Sequence, residues 1–327
     1  MSKEKISAKK VVDENRLKIV NKLIENMKKG YLFSEWAWNR NAFVPRNAVT
    51  GASYQGINRI NLAMTAIENN YEDPRWLTYK KASEMGYKIK SGEKGTLCEK
   101  WIWHKREKVI NKETGETELD ETGNKKYIEI ELKQPIINYF YLFNAKQIEG
   151  IEEFKEDTLQ FENSDIINVA DLFIKSSECP IEESFQERAF YSPFEDKIVL
   201  PLRKYFKSDE AFLGTLLHEM SHSTGSEGRL NREIVNKFGT EKYAIEELTA
   251  ELSCVFLEAD LGLDIDFTRQ DHVNYFSSWI KALTDNPNEL YKVCANASKS
   301  SKYLMDNMER EKFREKELIE FEEEEAI

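Results

Sequence analysis

Residues 209–225 read DEAFLGTLLHEMSHSTG, and this stretch decides how the C-terminal half of the chain is understood. Phe212, Leu213, Leu216, Leu217 and Met220 recur at helical spacing and predict one apolar face. Ser208 is placed to cap the helix, Asp209 and Glu210 suit its electropositive first turn, and Gly225 stops it. Inside it, His218-Glu219-Met220-Ser221-His222 sets two imidazoles four residues apart. Positions i and i+4 stand one turn apart on the same side of a helix, so both rings can reach one ion. Glu219 sits beside them, where it can take a proton from a metal-bound water. This is the HExxH zinc signature. The plain alternative, an exposed helix with two surface histidines, fits poorly with the apolar run around them.

A hydrolytic zinc site needs a third protein ligand and keeps a fourth position for water. The chain has 4 His, and the other two, His104 and His272, lie far off in sequence. Cys254 sits among apolar neighbours. A second helical pattern over 241–262 offers carboxylates instead. Glu247 and Glu251 are four apart and share a face, and either can ligate. The preferred assignment makes Glu247 the ligand, with Glu251 orienting a ligand from behind. Glu246 points about 100° away from Glu247 and is the weaker candidate. His272, on a helical segment near 268–284 with Tyr275 and Trp279, is a candidate catalytic donor to a tetrahedral intermediate; the plain reading is a packed or surface histidine. Residues 188–202 read as strand, turn, strand, and could offer an edge to an extended peptide.

Charge separates the two halves. The chain of 327 residues has formal net charge −12, which taken whole argues against nucleic acid. Residues 1–150 hold 27 Lys plus Arg against 20 Asp plus Glu, net +7, leaving −19 for 151–327. Five of the 6 tryptophans (Trp36, Trp38, Trp76, Trp101, Trp103) fall in the basic half, interleaved with Lys and Arg. Flat rings stack on unpaired bases and cations track phosphates, the pairing that holds single-stranded nucleic acid. The candidate DNA contacts are Trp36, Trp38, Arg46, Tyr54, Arg59, Arg75, Trp76, Lys80, Lys81, Lys90, Lys94 and Trp101. For each ring, burial in a core is the competing reading.

The expected fold class is α+β. A small N-terminal α+β domain with a curved antiparallel sheet occupies 1–150, and an acidic linker follows at 151–164. A mainly helical domain with a strand hairpin covers 165–305, and an acidic helical tail covers 306–327. Helices are expected over 8–29, 58–69, 78–85 and 165–176, strands at 97–107 and through 128–144, and an exposed insertion at 111–126. Cys98, Cys179, Cys254 and Cys294 are far apart, which fits a reducing cytoplasm rather than a disulfide framework. No apolar run is long enough for a membrane span, and MSKEKISAKK does not read as a signal peptide.

Several of these segments resemble a known family. WAWNRNAFVPRNAVTGASYQGIN (36–58), DPRWLTYKKASEMGYKIKSGEKGT (73–96) and YFYLFNAKQIEGI (139–151) resemble the N-terminal domain of ArdC-type antirestriction proteins, a domain shared with plasmid primases. LLHEMSHSTG, RLNRE, FGTEKYAIEELTAEL and DHVNYFSSWIKAL resemble the zincin-like metallopeptidase domain that follows it. The resemblance spans residues 10–305, in the family's order. It implies a single-stranded-DNA-binding domain joined to a zinc (Zn2+) metallopeptidase-like domain. It also implies carriage on a mobile element and protection of incoming DNA from restriction. The family's zinc pattern falls on His218, Glu219 and His222, with the third ligand in EELTAE. The insertion at 108–130 and the tail after 305 depart from the family pattern.

Three functions follow as expectations. The first is a bifunctional antirestriction protein that binds single-stranded DNA and has a zinc peptidase domain acting on an unidentified peptide or protein. The second is a peptidase whose basic half recognises a protein. The third is a DNA-binding shield with a non-catalytic zinc domain.

Overall fold

The computed structural model describes residues 7–33, 40–155, 163–237, 239–263 and 270–325. Trp36 and Trp38 lie outside them. The first helix, α1 (Ala8–Lys28), starts at Ser7, whose hydroxyl accepts from the Lys10 amide, and it buries Val12, Ile19, Val20, Leu23 and Met27. A short strand β1 (Arg46–Asn47) precedes α2 (Gly56–Glu68), β2 (Arg75–Thr78), α3 (Tyr79–Glu84) and β3 (Lys88–Ile89). Then come the long strands β4 (Thr96–Lys108) and β5 (Tyr127–Asn144), and short β6 (Ile148–Glu149).

The main sheet has the order β1-β2-β5-β4. Its β2/β5 and β4/β5 pairings are antiparallel, with Cys98 opposite Phe140 and Thr96 opposite Leu142, whereas the two-residue β1/β2 pairing is parallel. A register shift between Ile102 and His104 interrupts the β4/β5 ladder, the kind of irregularity that bends a sheet. The polar insertion continues the hairpin only through single bridges, Ile110 with Thr117 and Leu119 with Lys125.

The C-terminal half comprises α4 (Asn163–Ser176), β7 (Ile181–Ser184), β8 (Phe190–Ser192), β9 (Lys197–Pro201), α5 (Asp209–Ser223), α6 (Glu241–Leu261), α7 (Gln270–Asp285) and α8 (Glu289–Glu325). The hairpin read in the sequence is β8–β9. β9 also pairs with β7 in parallel, so β9 is central and, among the described residues, β8 is an edge strand. The acidic end is the continuation of α8, a single helix of 37 residues.

Two apolar cores meet at α6. Leu248, Leu252, Val255 and Phe256 join the core built by Ile19 and Leu23 of α1, Ile60 and Ala63 of α2, Trp279 of α7 and Val293 of α8. Cys254 and Leu257 join the core under α5, with Phe173, Ile198, Leu216, Leu217 and Met220. α6 is enclosed on most sides and carries sixteen buried residues, four of them glutamates. Each large side chain buried there contributes roughly 1.5–3 kcal/mol. Gly262 ends α6 at φ +76°, a conformation that side chains with a Cβ rarely adopt. The first core contains side chains from both halves of the chain, so the halves are packed against each other.

That packing corrects part of the nucleic-acid set. Arg59 is 1% exposed: it donates to the carbonyls of Phe43 and Phe256 and to both oxygens of Asp260 on α6. Trp76 is also 1% exposed and belongs to the first core. Neither is available to DNA. Both sit among basic and aromatic residues in the sequence, but Arg59 lies on the buried side of α2 and Trp76 is one of two adjacent buried residues in β2. Trp101 is half-buried, its indole donating to Glu99 and its ring packed 5.1 Å from Tyr291 of α8, with the Arg16 guanidinium beside both rings. It seals a contact between the halves.

Candidate metal centre and cleft

The α5 helix forms as its sequence dictates. Ser208 accepts from the Ala211 amide at its start, and its apolar face lies on the second core. Behind it, small hydroxyls let α5, α6 and α8 approach closely: Ser221 donates to Ser253, Ser253 donates to Ser300, and Thr224 bonds to Ser300, at 2.8–3.0 Å. All four residues are buried. Such a fully satisfied polar chain fixes one packing of the helices.

On the opposite side, the two imidazoles meet a carboxylate from α6. The Nε2 atoms of His218 and His222 are 3.2 Å apart. Glu247 places one oxygen 3.6 Å from Nε2 of His218 and the other 3.7 Å from Nε2 of His222. These three residues offer donor atoms that all lie within 4.8 Å of one another. Ligands about 2.0–2.2 Å from a tetrahedral zinc stand roughly 3.4 Å from each other. The nitrogen-nitrogen-oxygen set therefore has the spacing and chemistry of a divalent-metal site.

The outer nitrogens are held separately. Nδ1 of His218 is 3.5 Å from Glu251, and Nδ1 of His222 is 3.2 Å from Glu246. Glu246 is itself gripped by Arg232, through Nε at 3.1 Å and Nη2 at 2.7 Å. Arg232 also donates to Thr224 and to the carbonyl of Ser221. Glu246 is absent from the cluster of possible ligands, as its angle on α6 leads one to expect, but it has an orienting contact that the angle did not reveal. It points away from the shared Nε2 position but reaches the far side of the second histidine. Arg232 was missed because it lies on an irregular strap after α5, where no periodicity marks it. Gly225 admits that strap: a Cβ there would come 2.3 Å from Cγ2 of Ile234.

The charges reinforce one another. Burial alone would lower the pKa of His218, but hydrogen bonds to Glu247 and Glu251 outweigh it and hold the ring well above its usual value. Burial would raise Glu247, yet His218 and His222, with a hydrogen bond from Tyr243, bring it down to about 2. Glu246 is likewise lowered against its burial, by His222 and Arg232.

These residues line a cleft of about 990 Å³. Glu219, 8% exposed, lies in its wall. Opposite are Ala189, Phe190 and Tyr191 of the β8 region, and Ile234, Val235 and Asn236 of the strap. Phe194 at the hairpin turn is 88% exposed at the cleft mouth. Tyr243, Tyr275 and Trp279 also line it. His272 belongs to α7 by its backbone, but its side chain is outside the described residues.

In the basic half, Arg46, Lys80, Lys90 and Lys94 are exposed, while Lys81 is partly so and pairs with Glu84. Arg75 is engaged by Asp73 and the carbonyl of Glu152, and Tyr54 is half-buried against the first core. The structure does not bring the full expected set onto one surface. It does expose rings the set omitted, Tyr79, Tyr141 and Trp103. Among the described residues, no helix is long and apolar enough to cross a membrane.

Residues 13–143 match the family model described as the N-terminal domain of anti-restriction factor ArdC, and residues 168–296 match that of a zincin-like metallopeptidase. Two proteins of Escherichia coli named DNA primase TraC are 34% identical over 88% of this chain, which spans only 26% and 19% of their lengths. A protein of Sinorhizobium fredii named y4eC and described as uncharacterized is 26% identical over 80% of each chain. The metal-free crystal structure of the antirestriction protein ArdC from plasmid R388 is similar at TM-score 0.68. Its sequence is 30% identical, and the match covers 90% of this chain and 98% of that one. The Mn(II)-bound structure of the same protein is similar at TM-score 0.68 with 29% identity. Two matching domains in the same order, and a match along nearly the whole of a solved relative, show that the chain belongs to the ArdC family of antirestriction proteins.

Proposed function

We propose that this chain is an antirestriction protein that binds single-stranded DNA through its basic half and hydrolyses a peptide bond in the cleft of its acidic half. The observation that carries the second part is the convergence of two Nε2 atoms and the Glu247 carboxylate on one point of the cleft wall. His218, His222 and Glu247 would ligate a divalent metal, and this donor set suits zinc; the R388 relative has been solved with Mn(II). Bound there, the ion supplies a Lewis acid and a water of lowered pKa.

The remaining steps belong to the chain's own side chains. Glu219 accepts the proton of the attacking water and passes it to the leaving amine. Glu251 and Glu246 hold the two rings by their Nδ1 atoms, so that Nε2 of each faces the ligand position. The edge strand β8 offers backbone hydrogen bonds to an extended peptide. In the basic half, Arg46, Lys80, Lys90 and Lys94 track phosphates and exposed rings stack on bases. Acting where DNA enters a cell places the protein in the cytoplasm, and the R388 relative supports carriage on a mobile element.

The test uses the full chain, because the two halves share a core. Glu219→Gln should abolish cleavage of a fluorogenic peptide mixture while leaving metal binding intact. Turnover equal to wild type in that variant contradicts the hydrolytic reading.

A further inference from the structure

The cleft contains a hydroxyl that the proposed reaction has not used. Tyr243 lies one helical turn before Glu247 on α6 and therefore on the same face. Its phenol lines the same cleft as the Glu247 carboxylate and lies within interaction reach of it, helping to hold it charged. It also meets the hydroxyl of Tyr275 on α7 at 3.3 Å, with the two rings 6.2 Å apart. Tyr275 is fixed in turn, stacked on Trp279 at 6.0 Å and 15°, and Trp279 is 1% exposed in the first core. A path of packed rings thus runs from the core to the carboxylate that, among the described residues, faces both Nε2 atoms.

A carboxylate has two oxygens and a rotatable stem. A donor that satisfies it from the side fixes which lone pair faces a metal and removes the entropy of finding it. Arg232 with Glu246, and Glu251, do this for the two histidines. We infer that Tyr243, steadied by Tyr275, is the positioning residue for Glu247 and sets the affinity and coordination geometry of the metal centre. This rests on the proposal that Glu247 is a ligand.

The experiment compares the full chain with Tyr243→Phe, Tyr275→Phe and Glu247→Gln. The metal-free proteins are titrated with Zn2+ against a chromophoric chelator, and with Co2+ by its visible absorption, whose intensity reports coordination number. Phe keeps the ring packing, so a purely structural role would leave the cobalt spectrum unchanged. Tyr243→Phe should weaken zinc binding by about 10–100-fold and alter the cobalt bands. Tyr275→Phe should act in the same direction and less. Wild-type affinity and spectrum in Tyr243→Phe, with loss in Glu247→Gln, overturns the inference and leaves the metal centre standing. Wild-type affinity in Glu247→Gln overturns the ligand assignment and the inference with it.

Discussion

Nδ1 of His222 lies 3.2 Å from Oε1 of Glu246, on the side of the ring opposite the Nε2 that faces His218 and Glu247. Glu246 is held in that place by Arg232, and both side chains are nearly inaccessible, at 10% and 6% exposure. Glu246→Ala removes the orienting carboxylate and leaves a buried guanidinium without its ion-pair partner. It should weaken metal binding by about 10–100-fold. It should also destabilise the metal-free chain by about 3–5 kcal/mol. Metal titration and denaturant unfolding check the two effects. Arg232→Met should reproduce the loss of affinity in weaker form.

Proton and metal compete for the same nitrogens. Glu247 and Glu251 hold the pKa of His218 well above 6.5, which favours the protonated ring in the metal-free chain. Metal binding must expel that proton, and apparent affinity should fall as pH falls, about tenfold per unit where one proton is released. Calorimetry in buffers of different ionisation enthalpy counts the protons.

The same shifts set opposite pH trends in stability. A raised folded pKa contributes stability that is fully present below the unfolded value of 6.5 and is lost as pH rises through the folded one. The metal-free chain should therefore lose this part of its stability on the alkaline side. The lowered Glu247 contributes stability above about 4.5 that is lost as pH falls toward 2. The metal-loaded chain should gain melting temperature over the range where the metal-free chain declines. Thermal unfolding with and without metal across pH measures both.

Arg59 and Lys94 should behave as opposites. Arg59 is buried and reaches the partly exposed Asp260 at 2.8 Å. Arg59→Ala should cost about 1–3 kcal/mol of unfolding free energy, because it removes buried hydrogen bonds. In the folded fraction it should leave the salt slope of DNA binding unchanged. Lys94 is exposed. Lys94→Glu should leave stability within about 0.5 kcal/mol. Titration of a labelled oligothymidylate at several salt concentrations should show its slope reduced by about one.

What the sequence made legible followed short-range rules. Ser208, the apolar spacing and His218 to His222 specify α5 and its two imidazoles locally, and the i, i+4 carboxylates of α6 follow from the same helical period. Segments 36–58, 73–96, 139–151, 216–225, 229–233, 238–252 and 271–283 carried the family resemblance. The burial of Arg59 and Trp76 was not legible, because their partners Phe256, Asp260 and the first core come from distant segments. The same holds for Glu246. Its role depends on where α6 crosses α5 and on Arg232, an irregular loop residue whose partners no spacing reveals. β7 was also missed, since Ile181–Ser184 is too short to show alternation.

The most direct test of the metal centre is a crystal structure of the full chain grown with zinc, with anomalous diffraction measured on both sides of the zinc absorption edge. The account predicts one anomalous peak bound by Nε2 of His218, Nε2 of His222 and a carboxylate oxygen of Glu247, with Glu251 and Glu246 remaining on the two Nδ1 atoms. A peak coordinated by Glu251 or Glu246 in place of Glu247, or no peak between the two histidines at saturating zinc, would contradict it.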